Sequence, residues 1–335
     1  MNYCVFTRFF YEDTYLDYFI QHYINLGFNK IIILKPDNVI YNLPCEYLNI
    51  VEIHYVENLG DNLLSHYQHL INSNNDWVLS VDSDELLILN NTYKNIDDFV
   101  KEKLINDKLI NAFYFRWGMI EKFDIENNNN FTYILQNYKI FKNSHIKTMF
   151  KLKDLIEIYH SHVVNLKNLH IYFENNIYNI NLGFGRHTIT ENSYKEHILI
   201  HLHTRSINNL IVKSFNTVFD DKQINNKNNF IEIINNFDLN STENILQLFI
   251  NNIGLKAQLP YTHNKEEELI LCNYDISKYN YDISKYNYDI VDSIKDKNEI
   301  INFLNKNKIE ENNYFYFVNL LSFQIINDKT FIKSI

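Results

Sequence analysis

The sequence predicts an α/β fold: a mixed, mostly parallel sheet flanked by helices, with a mainly helical region at its C-terminal end. Three observations carry that expectation. Apolar runs at residues 3–7, 30–34 and 76–81 are continuous rather than alternating, as strands buried on both faces must be. The segments between them repeat apolar residues at helical spacing. Past residue 220 the composition shifts to Asn-rich connectors and amphipathic stretches such as 243–253.

Taken in order, residues 15–26 set Leu16, Phe19, Ile20, Tyr23 and Ile24 on one helical face. Gly27 follows where a helix end favours a residue free to turn left-handed. Ile31, Ile32 and Ile33 form the next strand, which stops at the turn signal Pro36-Asp37-Asn38. Residues 50–56 read as a strand, 61–73 as a helix and 76–81 as another strand. This β-α-β-β-α-β order implies a mostly parallel sheet covered by helices.

From 111 to 203 the segments are shorter and more aromatic, which predicts hairpins and a mixed sheet edge, with Asn127 to Asn130 as a loop. Residues 206–219 read as a helix with Ile207, Leu210, Ile211, Phe215 and Val218 on its apolar face. The domain boundary is placed after residue 220: 1–220 as the sheet domain, 221–335 as the helical region. Within the latter, at 273–290, the seven residues from Asn273 to Tyr279 recur as Asn280 to Tyr286 and begin again at Asn287. That period makes a poor heptad and is too short for a solenoid. It reads as a slippage duplication in a surface segment.

Composition bounds the function. The 335 residues are 46% hydrophobic and 15% aromatic, enough for a sizeable core, since a chain of this length buries roughly 75% of its unfolded surface. Only 6 Gly and 3 Pro exclude collagen-like and Gly-rich architectures. The abundance of Asn, Ile, Lys, Tyr and Phe reflects AT-rich codons, as in the genome of a large virus or a protist. A net charge of −10 with no basic stripe argues against a nucleic-acid partner. Cys4, Cys45 and Cys272 are scattered, which argues against a disulfide framework or a thiolate zinc site. No leader pattern opens the sequence, and no run approaches the roughly 18 apolar residues of a membrane span. The expectation is a soluble protein of the cytoplasm, host cytoplasm or virion if the source is a large virus.

In parallel sheets, ligands bind outside the carboxyl ends of the strands. Those ends hold Thr7, Arg8 and Glu12, then Asp37, then Asp82-Ser83-Asp84-Glu85. Asp82 and Asp84, two apart at a strand end, point to the same side. They can share one divalent cation with a bound diphosphate, and their hard oxygens suit Mg²⁺ or Mn²⁺. The plainer reading is an acidic turn. It loses ground because the pair follows a buried strand and is third in a row of polar strand ends.

At these residues the chain resembles a known family. Residues 8–89 look like the nucleotide-sugar glycosyltransferases of the GT-A fold, in the family 2-like group related to family 92. Glu12, Leu16, His22, Leu26 and Gly27 match its N-E-x-x-Y-L-x-E-W-x-x-H-H-x-x-L-G pattern, with Tyr11 in place of Asn. Trp77 to Leu87, through Asp82-Ser83-Asp84-Glu85, follows W-x-x-x-x-D-x-D-E-F-L and is the most specific match. Trp117-Gly118 resembles a W-G segment, Lys147 to Lys151 a K-x-I-x-R segment, and His201 to Ser206 with Lys213 the H-Y-x-x-(K/R)-S…K ending. The resemblance covers about residues 3–215.

The resemblance implies a GT-A (Rossmann-like) fold and transfer of a sugar from a nucleoside-diphosphate sugar, UDP by family habit, to a glycan or glycoprotein hydroxyl, with inversion. It implies a Mn²⁺ or Mg²⁺ ion held by Asp82 and Asp84, with Asp37 at the nucleobase. A third metal ligand is often a later His: His162 is preferred, with His160 behind it and the His201–His203 pair as an alternative. Arg205 and Lys213 would meet phosphates or simply face solvent. An inverting transfer needs a carboxylate base at the acceptor hydroxyl, and Glu121 and Asp124 are the candidates, with Glu191 third. Trp117 would stack on a sugar or serve the core. A homo-oligomer is compatible with all of this.

Rival readings are weaker. A haloacid-dehalogenase-type phosphatase wants Thr or Val where Leu86 stands, and a nucleotidyltransferase wants a Gly-rich phosphate loop. The serious alternative is a catalytically degenerate GT-A domain acting as a glycan-binding or assembly module. The intact Asp82, Asp84 and Glu85 weigh against it.

Overall fold

Four parallel strands form the N-terminal half of the sheet, in the order β3 (Val51–Tyr55), β2 (Lys30–Lys35), β1 (Tyr3–Arg8), β4 (Trp77–Asp82). The computed structural model describes residues 1–9, 16–35, 43–57, 63–72, 74–120, 131–159, 162–181, 189–202, 268–269 and 271–279. All of them belong to one compact unit, which takes in 1–121, 129–203 and 263–283. The class is α/β: a large mixed sheet with few helices.

The apolar strands are buried as their continuity demands. β1 and β4 are covered until their last residues, Arg8 and Asp82, which are the first to reach partial exposure. One face of the sheet carries Cys4, Phe6, Ile32, Leu34 and Val78 into a core shared with Tyr114, Ile146 and Phe150. Helix α1 (Leu16–Asn25) follows β1. Its C-terminal Gly27 has φ +99°, the left-handed conformation expected of a helix-ending glycine. His22 and Tyr23 fasten α1 to β5 (Glu85–Leu89): His22 Nε2–H donates to the Leu87 carbonyl at 2.8 Å, and the Tyr23 hydroxyl to the Glu85 carbonyl at 2.8 Å.

The helix expected over 61–73 is interrupted. The described part holds one turn, α2 (Leu63–His66), then a 3-10 turn (Gln68–Leu70) beyond Tyr67. Gln68 and Tyr67 spend their side chains on neighbouring backbone: Gln68 accepts from Ile158 N–H at 2.8 Å and Tyr67 from Glu57 N–H at 3.2 Å. Helix α3 (Ile96–Asn106), unremarked in the sequence, is capped by Asn95, whose side chain accepts from Asp98 N–H at 3.0 Å.

The second half has the expected hairpins and mixed edge. β6 (Ala112–Ile120) pairs antiparallel with β7 (Ile140–Lys151), entered through α4 (Phe131–Asn137). β7 runs antiparallel beside β4 and joins the two halves. β8 (Leu155–Ile158) and β9 (Val164–Leu166) form a separate hairpin. β10 (Ile171–Phe173) and β11 (Asn176–Tyr178) form another, closed at Glu174-Asn175 with φ +51° and +63°, the handedness that fits strand twist. β12 (His197–His201) lies between β5, antiparallel, and β6, parallel.

The first copy of the tandem repeat lies at the surface, with Asn273, Ser277 and Lys278 exposed, but it is anchored by two buried rings. β13 (Glu268–Leu269) pairs with β7, and the following turn buries Tyr274 and Tyr279. The Tyr274 hydroxyl donates to the Tyr194 carbonyl at 2.9 Å, and Tyr279 accepts from Leu89 N–H at 3.0 Å. Tyrosine suits this seat because its ring is apolar while its hydroxyl can satisfy backbone. The second copy, the helices expected at 206–219 and 243–253, and the loop at 127–130 lie outside the described residues. Among the described residues no helix is long and apolar enough to cross a membrane.

Candidate functional site

β1 and β4 run parallel in a register that sets Arg8 beside Asp82 at the carboxyl ends of both. Arg8 Nε stands 3.3 Å from Asp82 Oδ1, with both side chains partly exposed. The chain then turns through Ser83 and Asp84, both buried. Glu85, fully buried, folds back so that its Oε2 accepts from Asp82 N–H at 2.8 Å. The Asp-x-Asp-Glu stretch is therefore a closed turn rather than a row of solvated acids.

Lys147 enters from β7, opposite Phe115 of β6. Its ammonium donates to Asp82 Oδ2 at 2.6 Å, lies 3.4 Å from Glu85 Oε2, and its side chain is 0% exposed. A buried ammonium is tolerable only when paired. Burial pushes Lys147 down, but Asp82 and Glu85 outweigh it and hold the group above its ordinary value. Burial likewise pushes Asp82 up, and Lys147 with Arg8 overcomes it, leaving that carboxyl well below the usual carboxylate range. Glu85 goes the other way: burial raises it well above its ordinary value, against the opposing pull of Lys147.

β12 supplies the next partner. His201 Nε2 is 3.5 Å from Asp84 Oδ2, and Leu202 N–H donates to the Asp84 carbonyl at 2.8 Å. Trp117 stands beside them because β6 shifts register between Arg116 and Gly118, a bulge that re-aims the intervening side chain. Its ring centroid is 4.2 Å from His201, 5.0 Å from a stacked His145 and 5.1 Å from His162. The Lys147 ammonium is 6.0 Å from the same ring. With imidazoles on so many sides, Trp117 belongs to the packing of the site.

Of the residues expected from sequence, the structure gathers Arg8, Asp82, Ser83, Asp84 and His201, the last offered there as an alternative metal ligand. Thr7 is sealed within β1, its Oγ1 3.4 Å from the Arg8 carbonyl. His162 packs on Trp117 and donates Nδ1–H to the Ile146 carbonyl at 2.7 Å. Glu191 is exposed in the turn before Ser193. Glu12, Asp37, Glu121, Asp124, His160, His203, Arg205 and Lys213 lie outside the described residues. His145 and the pairing of Lys147 escaped the sequence reading. For Lys147 the local pattern gave no signal, since strand side chains alternate between faces and Lys142 and Lys151 of the same strand stay half-buried.

Among the described residues no group of three or more His, Cys, Asp or Glu side chains is arranged to hold a metal ion. Mg²⁺ at a phosphate site, however, is usually bound by one or two carboxylates, with water and substrate oxygens completing the shell. Asp82 and Asp84 meet that smaller need. Asp82 Oδ1 makes no hydrogen bond among the described residues but is held 3.3 Å from Arg8 Nε, and hard carboxylate oxygens of this kind are the donors that Mg²⁺ or Mn²⁺ takes. No protein-family model matches the chain, and no curated protein matches it.

Proposed function

We propose that the chain is a metal-dependent glycosyltransferase that moves a sugar from a nucleoside-diphosphate sugar, UDP-linked by preference, to a hydroxyl of a glycan or glycoprotein. The observation that carries this reading is the closed turn Asp82-Ser83-Asp84 at the carboxyl ends of parallel strands β1 and β4, with Arg8 across from it. Parallel-sheet enzymes place ligands at that edge. A Mn²⁺ or Mg²⁺ ion held there would offset the charge that develops on the leaving diphosphate.

The chain's own residues have separable tasks. Arg8, a third exposed beside Asp82, would meet a phosphate oxygen. His201 and the Leu202 N–H orient Asp84. β6 ends at Ile120, one residue past Met119, which pairs with His201. That exit from the sheet is why Glu121 and Asp124, which follow it in sequence, remain the candidates for the base that takes the acceptor's proton.

Calorimetric titration with UDP and its sugar conjugates, with and without Mn²⁺, tests the reading. The expected result is metal-dependent binding that is lost in Asp84→Asn while the fold persists. A second reading, a degenerate GT-A domain serving as a glycan-binding or assembly module, draws on the pairing of Asp82 with Arg8 and Lys147. A retired metal turn neutralised from within has that form. No nucleotide binding under any condition would favour it.

A further inference from the structure

We propose that Lys147 is a positioning residue that holds Asp82 in an internal ion pair, withdraws it from the divalent cation and leaves Asp84 to meet that cation. The proposal rests on the metal-dependent reading above. Three observations lead to it.

Lys147 is too deeply buried to serve a substrate. Its side chain is 0% exposed, and its ammonium is directed at the Asp82 and Glu85 carboxylates. The two oxygens of Asp82 are divided between cations, Oδ2 toward Lys147 at 2.6 Å and Oδ1 toward Arg8 at 3.3 Å. Asp84, the other half of the motif, instead faces the His201 imidazole at 3.5 Å. Two carboxylates that look equivalent in the sequence thus sit in different electrostatic surroundings.

A fixed positive charge in contact with a carboxylate opposes a second cation at that carboxylate. Lys147 therefore lowers the affinity of the free protein for metal while keeping the turn in shape. The diphosphate, by adding negative charge, restores what the metal needs. A lysine with a purely structural role would leave metal affinity unchanged or reduce it when removed, because the turn would loosen.

The test uses the full chain and Mn²⁺ alone, followed by electron paramagnetic resonance and calorimetry. Lys147→Met should bind Mn²⁺ at least about tenfold more tightly than the unmodified protein. Asp84→Asn should lose Mn²⁺ binding, and the double variant Lys147→Met with Asp84→Asn should regain it through the released Asp82. A folded Lys147→Met protein with equal or weaker Mn²⁺ affinity overturns the positioning role. If the unmodified protein meanwhile binds Mn²⁺, the metal-dependent reading survives that failure. If neither protein binds Mn²⁺, with or without UDP, both fall. Should Lys147→Met not fold, Lys147→Gln, which removes the charge but keeps a hydrogen-bond donor toward Asp82 Oδ2, makes the same test. Tighter Mn²⁺ binding there supports the withdrawal of Asp82, and unchanged or weaker binding overturns it.

Discussion

His201 stands 3.5 Å from the Asp84 carboxylate because β12 runs antiparallel to β5 in the register that pairs His201 with Glu85. Strand pairing thus delivers the imidazole to the turn from more than a hundred residues away. If His201 orients Asp84 for the diphosphate and its cation, His201→Phe should keep the packing against Trp117 and still lose at least about fivefold in Mn²⁺-dependent UDP affinity. Calorimetry reads this directly. Unchanged affinity would reduce His201 to a packing residue.

Gly118 makes the second prediction. A Cβ there would stand 2.9 Å from Cγ2 of both Ile140 and Ile198. Those methyls hang directly on branched β-carbons and cannot swing away without a change of rotamer. Gly118→Ala should therefore cost about 1–3 kcal/mol through overpacking. Since Gly118 follows the bulge that aims Trp117, tryptophan fluorescence should shift along with the Tm. A Tm equal to that of the unmodified protein would mean the strands part more easily than the contacts suggest.

Much of this architecture is legible in the sequence, for reasons that also mark where legibility ends. The strands at 3–8, 30–35 and 77–82 announce themselves because burial on both faces demands continuous apolar residues. Helix α2 ends after one turn, and Gln68 beyond it serves Ile158, a partner 90 positions away that no local pattern reveals. The carboxylates of the site were found from their position at a strand end. The sequence offers His201 only as an alternative ligand and does not reveal the pairing of Lys147, because both reach the turn through β12 and β7, whose register is a tertiary fact. Tyr274 and Tyr279 misled because a repeated polar-looking heptapeptide hides two rings that the core accepts.

The buried pair Arg116–Glu174 should prove costly to break from one side. Arg116 Nε donates to Glu174 Oε1 at 2.7 Å and Nη1 to the Ser144 carbonyl at 3.1 Å, while Thr190 and Ser193 donate hydroxyls to the same carboxylate. Glu174→Leu would strand a guanidinium that is 1% exposed, at about 3–5 kcal/mol. Adding Arg116→Met should recover part of that loss, because no unpaired charge remains inside. Urea unfolding of the three proteins checks the order. A double variant less stable than Glu174→Leu would mean that the guanidinium is worth more for its stacking on Phe173, 4.8 Å away, than its lost partner costs.

Acid should destabilise the protein through two buried imidazoles, and the direction follows from their surroundings. His22 is pushed down to about 4 by burial, against the opposing Leu87 carbonyl. His197, packed edge-on against Phe99 and Phe115, is pushed down to about 4 by burial, against the opposing Glu196. An unfolded chain takes up these protons near pH 6.5. Between about 6.5 and 4 the unfolded state binds more protons than the folded one, so stability falls as the pH falls through that window and is full above it. Each imidazole accounts for up to about 3 kcal/mol. Glu85 acts oppositely: its raised value makes its contribution complete below the ordinary carboxylate range and diminishing as the pH rises. Two groups therefore outweigh one in the acid window. The gap in Tm between pH 7 and pH 5 should narrow in His197→Leu, which keeps an apolar side chain among the rings and removes one titrating site. An identical gap in that variant would assign the acid sensitivity to other groups.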